Sequence, residues 1–238
     1  MPKMDLSFTS CIRCVGGTKI CIYCESKLIK HGTTKNGKSR FKCKKCKTTS
    51  VENYSYRAYD VELNLSIVRL TKEGMGIRST ARYLAISTTT LLKRIVLIAN
   101  KLATPIIKLD KTYEVDELRT FIKRKDRPIW IVCAYERESK RVVSFCIGNR
   151  TNKTLSVVLK TLKLGKATSI FTDGLKNYRY LIDRSVHQVK QYATNHVERF
   201  NLTLRTQLKR SNRRTICFSR SIVVLNAVLR IYLWDKPI

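Results

Sequence analysis

Acidic residues are scarce in this chain, so their positions are informative. The sequence holds 17 Asp and Glu against 48 Lys and Arg. Asp116, Asp173 and Glu198 fall, in that order, in a predicted strand, at the end of a later strand and in the first turn of a predicted helix. Three converging carboxylates can bind two divalent ions, one activating an attacking oxygen and one stabilising the leaving oxygen of a phosphodiester. Mg²⁺, or Mn²⁺, suits these hard oxygen ligands.

Each acid also has a purely structural interpretation. Asp173-Gly174 is typical of a turn, and Glu198 could close a capping box with Asn195. Asp116 adjoins Glu117, and either could be a surface acid in a salt bridge. The three acids nevertheless occur in the right order on the right elements, which favours the catalytic interpretation.

The elements that must position these acids lie after residue 112. Short polar segments separate three predicted strands, at 113–122, 129–135 and 141–147, so we expect antiparallel hairpins. A helix at 152–164, a strand from 169 to 173, a fifth strand at 187–192 and a helix at 195–209 follow. This β-β-β-α-β-(β)-α order is that of an RNase H-like α/β fold with a mixed sheet, in which the three acids would converge at one edge.

Two of the three C-x-x-C pairs predict a structural zinc site. Cys21/Cys24 and Cys43/Cys46 are separated by 18 residues, and four thiolates at this spacing can close a tetrahedron around Zn²⁺. Asn36-Gly37, midway between the pairs, would turn a hairpin. The segment from residue 27 to 47 has nine basic residues and no acid. The sequence therefore predicts a zinc ribbon with a basic hairpin.

The other cysteines are less informative. Cys11/Cys14 could be a substitute ligand pair, a second incomplete site or neither. Cys133, Cys146 and Cys217 are isolated in apolar surroundings and are predicted to lie in the core. The odd number of cysteines and the absence of a visible signal peptide argue against a disulfide framework.

Residues 60–98 carry the pattern of a helix-turn-helix. We expect a first helix at 60–73 and two more helices, with Ser87 as the N-cap of the last one. On the first helix Val61, Leu65 and Val68 share the expected inner face, flanked by Leu63, Ile67 and Leu70. The positions expected to face inward on the other two helices are Ala81, Leu84, Ile86, Leu91, Ile95 and Ile98. An ordinary helical pair is the alternative, since Ala85 occupies the turn position where glycine is usual.

The last of these helices is a candidate recognition helix. Thr88, Thr89, Lys93 and Arg94 fall on the outer face of its N-terminal half, and early residues of such helices contact base edges in the major groove. These four residues are therefore the predicted DNA-reading positions.

Composition favours a nucleic-acid partner. The formal net charge is +31, and a surface this basic is best neutralised by phosphates. Ribosome-like packaging and an anionic membrane surface are alternatives on charge alone. No apolar run of about 20 residues occurs, which predicts no membrane span. Without a visible signal peptide, we expect a cytoplasmic, nucleoid-associated protein.

From Ile20 to Leu233 the sequence resembles the insertion-sequence-one family of bacterial transposases, of the DDE class. The motifs are the four-cysteine ribbon, the helix-turn-helix at 76–84, and catalytic segments at 115–118, 171–174 and 196–205. The family places 24 residues between its second and third acids, as here between Asp173 and Glu198. The resemblance implies a catalytic triad of Asp116, Asp173 and Glu198.

The resemblance implies a multi-domain transposase: a zinc ribbon with an N-terminal extension at 1–53, an all-α helix-turn-helix at 54–104 and an RNase H-like catalytic domain at 105–238. The N-terminal domains would bind terminal inverted repeats in double-stranded DNA, and the catalytic domain would cleave strands and transfer the 3′-hydroxyl. Binding two ends implies at least a dimer. A non-catalytic DNA-binding regulator and an RNase H-like nuclease without strand transfer are the rival functions.

Overall fold

The structure is a computed structural model that describes residues 12–51, 62–212, 217 and 219–235. The first described segment is formed by short strands, which are Ile12–Val15 (β1), Thr18–Cys21 (β2), Leu28–Thr33 (β3), Ser39–Cys43 (β4) and Thr49–Val51 (β5). β1 pairs with β2, and β3, β4 and β5 form an antiparallel sheet. Gly37 takes a left-handed φ of 74° in the β3–β4 turn, as predicted for Asn36-Gly37.

Three helices follow, Leu63–Lys72 (α1), Ile77–Tyr83 (α2) and Thr88–Lys101 (α3). The Ser87 hydroxyl accepts a hydrogen bond from the Thr90 amide at 3.0 Å, so the predicted N-cap is confirmed. Ala85 has φ of 52°, the left-handed conformation for which glycine is usual in this turn. The turn between α2 and α3 therefore has a left-handed backbone with an alanine in the strained position.

The buried face of α1 differs from the prediction by a rotation of the helix. Leu65 was expected to face inward but is 49% exposed, whereas Leu63 and Ile67 are buried. α1 packs against both α3 and the last helix of the chain, a partner absent from the predicted elements, and this shifts the buried stripe. Ile98 is half-buried, and Ala99 takes the inner position on α3. Val61 lies outside the described residues.

A five-stranded mixed sheet forms the centre of the remaining chain. Its strands are Thr112–Ile122 (β6), Arg124–Glu136 (β7), Arg141–Gly148 (β8), Ser169–Phe171 (β9) and His187–Gln188 (β10), in the order β10-β9-β6-β7-β8. β6, β7 and β8 are antiparallel, while β9 runs parallel to β6 and to β10. The predicted mixed sheet with three opening antiparallel strands is confirmed.

The helices around this sheet are Asn152–Leu164 (α4), Tyr178–Leu181 (α5), Asn195–Gln207 (α6) and Ile222–Trp234 (α7), with a 3₁₀ turn at Lys209–Ser211. α7 was not predicted. β10 is shorter than the predicted strand at 187–192, because residues 191–194 form a turn in which Tyr192 has φ of 61°. None of the described helices is long and apolar enough to cross a membrane.

Two apolar clusters cover the two faces of the sheet. One lies under α4 and α5 and includes Tyr113 and Leu155. The other lies under α6 and α7 and continues without a break into the side chains of α1–α3. Of the three cysteines predicted to be core, Cys133 is buried and Cys146 is half-buried. Cys217 is exposed, so that prediction is wrong: its apolar sequence neighbours do not carry it into the core.

Candidate active site

Three carboxylates meet where β6 passes the end of β9. One oxygen from each of Asp116, Glu117 and Asp173 lies within 4.8 Å of the others. β6 supplies the first two, and the parallel β6–β9 pairing brings Asp173, the second residue after β9, beside them. Two of the three sequence-predicted acids are therefore brought together, and Glu117 joins them.

Glu117 differs from its neighbours because both of its oxygens have protein donors. Arg150 donates to Oε2 from Nε at 3.1 Å and from Nη2 at 2.8 Å, and the Tyr178 hydroxyl donates to Oε1. The Glu117 side chain is only 1% exposed. Arg150 Nη2 also lies 3.7 Å from Asp173 Oδ2. Sequence inspection singled out neither Arg150 nor Tyr178, since both act through tertiary contacts.

Asp116 is the carboxylate most affected by its surroundings. Burial raises the pKa of Asp116 to about 6, and the charges of Glu117 and Asp173 act in the same direction. The backbone N–H of Glu117 and the Asn201 amide, which donates to Oδ2 at 2.8 Å, oppose the rise in pKa. Asp116 is thus a carboxylate that a nearby cation would strongly favour in its ionised form.

Asp173 is held by its own turn. Its Oδ1 accepts the Leu175 N–H at 3.1 Å, and Gly174 has φ of 82°. Thr172, which comes just before it, contacts the His187 Nε2 atom at 2.9 Å on β10. Asp173 is the most exposed of the three carboxylates, at 37%, and its Oδ2 is the oxygen that faces Arg150.

Glu198 is placed near α6's N-terminus and outside this carboxylate group. Its Oε1 accepts a hydrogen bond from the Thr194 hydroxyl at 2.7 Å, and the residue is exposed. The sequence-based alternative paired Glu198 with Asn195 in a capping box. In the structure the partner of Glu198 is Thr194, the residue just before the helix. Asn201, three residues further along the same helix, is the α6 side chain that reaches Asp116.

Glu114 anchors α6 to the sheet, and sequence inspection missed it. This fully buried carboxylate accepts hydrogen bonds from Arg137 Nε at 2.6 Å, His196 Nδ1 at 2.7 Å and the Val197 amide at 2.9 Å. A carboxylate at a helix N-terminus also interacts favourably with the helix dipole. Glu114 precedes Asp116 by two residues and so shares its face of β6, a signal that was available in the sequence.

The donor set beside Asp116 suits a hard divalent cation. With all three carboxylates ionised and Arg150 nearby, the cluster carries a formal charge of −2, which one divalent ion would neutralise. Asn201 Oδ1 is buried and has no hydrogen-bond partner among the described residues, although such an amide oxygen normally has one. Carboxylate and amide oxygens together are ligands for Mg²⁺ or Mn²⁺.

The four ribbon cysteines form a second candidate metal site. The Cys21–Cys46 and Cys24–Cys43 sulfur pairs are 3.5 Å and 3.3 Å apart, close to the roughly 3.8 Å edge of a Zn²⁺ tetrahedron with sulfurs about 2.3 Å from the metal.

Hydrogen bonding favours thiolate at two of the four ribbon cysteines. The Ser26 backbone N–H lowers the pKa of Cys24 to about 6, and Thr48 lowers that of Cys46. The sulfurs therefore fit Zn²⁺. Cys14 is exposed on β1, and Cys11 lies outside the described residues.

Most of the predicted DNA-binding side chains on α3 are exposed to solvent. Thr88, Thr89 and Lys93 are exposed. Arg94 is half-buried, and its Nη1 donates to Asn64 Oδ1 on α1 at 3.4 Å. Arg94 is thus less open than the other three positions, and its role in DNA binding stays a prediction.

Solved structures with a partial likeness to this chain are viral. One is the simian T-cell lymphotropic virus intasome in complex with PP2A regulatory subunit B56 gamma, at 15% identity and a TM-score of 0.39, covering 72% of this chain and 75% of that one. Another is the HTLV-2 integrase catalytic core domain in complex with magnesium, at 16% identity and a TM-score of 0.34, covering 54% and 86%.

Curated relatives are closer in sequence. Insertion element iso-IS1n protein InsB of Shigella dysenteriae is 34% identical over 116 residues, covering 49% of this chain and 88% of that protein. Insertion element IS1 protein InsB of Shigella flexneri is 32% identical over 120 residues, covering 50% and 92%. Residues 111–237, just over half the chain, match the IS1 transposase family. The chain therefore belongs to the IS1 transposase family.

Proposed function

We propose that this transposase is a DDE enzyme that cleaves DNA at the ends of an insertion element and joins the freed 3′-hydroxyl to target DNA. The observation that carries the proposal is the meeting of Asp116 and Asp173 in a chain so poor in acids. Carboxylates beside phosphates would repel them unless divalent cations lie between the two. Such a carboxylate group in a basic protein therefore favours metal-dependent cleavage of phosphodiesters. A non-catalytic regulator would have no use for it.

Asp116 and Asp173 are the proposed ligands of Mg²⁺ or Mn²⁺, with Glu198 as the third acid. A bound ion would polarise the phosphodiester and lower the pKa of an attacking water or hydroxyl. Asn201 orients Asp116, and the turn at Gly174 orients Asp173. Glu117 is the competing third acid, but Arg150 and Tyr178 already occupy its oxygens. Its proposed part is to hold Arg150 beside the cluster.

Matched amide substitutions decide between Glu198 and Glu117. We expect Asp116→Asn, Asp173→Asn and Glu198→Gln each to lower cleavage and strand transfer by at least about 10³-fold, while double substitutions add little, as for residues that act as a unit. Glu117→Gln should retain substantial activity. A dead Glu117→Gln with an active Glu198→Gln would assign the third acid to Glu117. Cleavage without strand transfer by the unaltered protein would favour the nuclease alternative.

The N-terminal segments are the proposed end-binding part, with boundaries at 1–53, 54–104 and 105–238. Cys21, Cys24, Cys43 and Cys46 would hold one structural zinc. Elemental analysis should give about one zinc per chain, which Cys43→Ser should remove and Cys14→Ser should keep. Two zincs per chain would bring Cys14 into a site, and no zinc would contradict the ribbon.

On α3, Thr88, Thr89 and Lys93 are the proposed base-reading residues, and Arg94, on the same helix, supports them through its contact with Asn64 of α1. Lys93→Ala should weaken binding to the terminal repeat more than binding to random DNA, whereas equal losses would assign Lys93 to phosphates.

Since two element ends must be held together, we propose at least a dimer in the active complex. Cytoplasmic action on nucleoid DNA follows from the same activity.

A further inference from the structure

The hairpin of β6 and β7 continues well beyond the catalytic carboxylates. β8 pairs with β7 only from Trp130 onward, so the end of the hairpin leaves the five-stranded sheet. Its two strands join at Lys123 through a single left-handed residue with φ of 64°. Lys123 lies seven residues past Asp116, which corresponds to roughly 20 Å along an extended strand.

This hairpin end is strongly basic. Residues 119–127 contain five Lys and Arg and a single acid, Asp126. Arg124 pairs with Asp126 in a two-bond fork of 3.1 Å and 2.6 Å. The other three charges of the tip, on Lys123, Lys125 and Arg127, are exposed. The acid is therefore balanced within the hairpin, and the remaining charge is presented to solvent.

Arg119 connects this tip to the active site. It shares the face of β6 that carries Glu117, because residues two apart on a strand point the same way. Glu117 holds Arg150 at 2.8 Å on that face. The Arg119 guanidinium lies 5.5 Å from the ring centre of Phe121 and 5.9 Å from that of Trp130. These aromatic contacts keep an exposed cation on the face between the carboxylates and the tip.

Nearer the sheet, the hairpin is also held from its Thr120 side and along the edge of β6. The Thr120 hydroxyl donates to the Arg210 carbonyl at 3.3 Å, and the Lys123 amide donates to the Ser219 carbonyl at 2.9 Å. These contacts fix the base and one edge of the hairpin. The cationic side chains therefore stand on a supported ribbon, a form that other proteins also present to nucleic acid.

We propose that this hairpin holds duplex DNA leading away from the scissile phosphate. Arg119 and the tip residues Lys123, Lys125 and Arg127 would contact phosphates, independently of base sequence. A span of roughly 20 Å corresponds to about six base pairs at 3.4 Å per step. The assignment rests on the proposed transposase activity, because it places the scissile phosphate at Asp116 and Asp173.

Salt dependence of DNA binding tests the hairpin with a matched control. The tip triple variant is Lys123→Ala, Lys125→Ala and Arg127→Ala. Its control replaces Lys160, Lys163 and Lys166 by Ala, removing equal charge at the far end of α4. Each triple contains one left-handed lysine, Lys123 with φ of 64° or Lys166 with φ of 46°, so backbone effects are matched as well.

Binding of the full chain to a random 30-base-pair duplex should be measured against salt concentration. Each lost phosphate contact lowers the slope of log K against log[salt] by about 0.9, so we expect the tip triple to lower it by about 2 to 3. The α4 triple should change it by less than 1, and Arg119→Ala should lower it by about 1. Equal changes in the two triples, or no change in the tip triple, would overturn the hairpin assignment.

Cleavage by the unaltered protein separates this assignment from the proposed activity. If the unaltered protein cleaves element ends while the tip triple keeps the full salt slope, the hairpin assignment fails and the transposase proposal stands. If the tip triple loses slope but the unaltered protein never cleaves DNA, the hairpin binds DNA and the active-site assignment fails. Thermal melting of each variant should match the unaltered protein, which excludes unfolding as the cause.

Discussion

At the scale of single residues, the burial of Asp116 disfavours the ionised form that metal binding would require. Its carboxylate is held among two other acids and away from water, so its ionised form is disfavoured unless a cation is present. Such a group lowers the stability of the metal-free protein at neutral pH, and a bound metal ion would restore that stability. The same residue should therefore report on both stability and metal occupancy.

Asp116→Asn should stabilise the metal-free protein above pH 7. The folded-state pKa of about 6 exceeds the usual 3.8, so the contribution of Asp116 to folding is fully present below pH 3.8 and is lost as pH rises through 6. The asparagine side chain of the variant does not ionise and so does not lose this stability, which for two pKa units amounts to roughly 1–3 kcal/mol. Thermal melting in magnesium-free buffer, without chelator so that ribbon zinc is kept, measures the difference.

Near pH 4 the melting temperatures of the two proteins should converge. Added Mg²⁺ should raise the melting temperature of the unaltered protein at pH 8 and leave Asp116→Asn nearly unchanged. A variant that melts lower at every pH would show that the Asp116 contact with Asn201, and not its charge, dominates.

At the scale of elements, α6 is fixed to β6 by a buried ionic group. Glu114 accepts hydrogen bonds from Arg137, His196 and the Val197 amide. These bonds set the helix that carries Asn201 and Glu198. Removing one partner of a buried ion pair leaves the other charge uncompensated, which is costly.

Glu114→Gln should lower stability by about 3–5 kcal/mol, because the amide cannot accept from all three donors. DNA cleavage should fall with it, while end binding by the N-terminal segments is retained. Glu138→Gln is the matched control, since Glu138 pairs with Lys111 on the surface and such pairs contribute about 0–1 kcal/mol. Denaturant unfolding measures both variants, and equal small losses would contradict an anchoring role.

The sequence predicted elements better than it predicted contacts. The bounds of α4 and the three antiparallel strands follow from apolar periodicity and short polar connections, which are local properties. The meeting of Asp116 with Asp173 follows from strand order. The Arg150–Glu117–Tyr178 group could not be predicted, because its members lie far apart in sequence and no local pattern links them. The orientation of α1 was missed for the same reason, since α7, which sets it, was not predicted.

At the scale of the whole molecule, helices α1–α3 and the five-stranded sheet share one core. Leu91 and Ile95 of α3 belong to the same apolar cluster as Leu225 and Val228 of α7. Arg230 donates to the Leu102 carbonyl at 2.7 Å, and Lys72 pairs with Asp235 at 2.7 Å. The cluster thus crosses the proposed boundary at residue 104. The zinc-ribbon cysteines, in contrast, pack in a cluster of their own.

Gly74, between α1 and α2, is a position in this shared core where a side chain cannot be accommodated. It has φ of 68°, and a Cβ atom there would lie 1.9 Å from the Gln207 carbonyl oxygen at the end of α6. Any other residue would push α1 and α2 away from α6, which carries Asn201. A change at this junction would therefore affect α1–α3 and the sheet together, whereas the ribbon cysteines pack in a separate cluster.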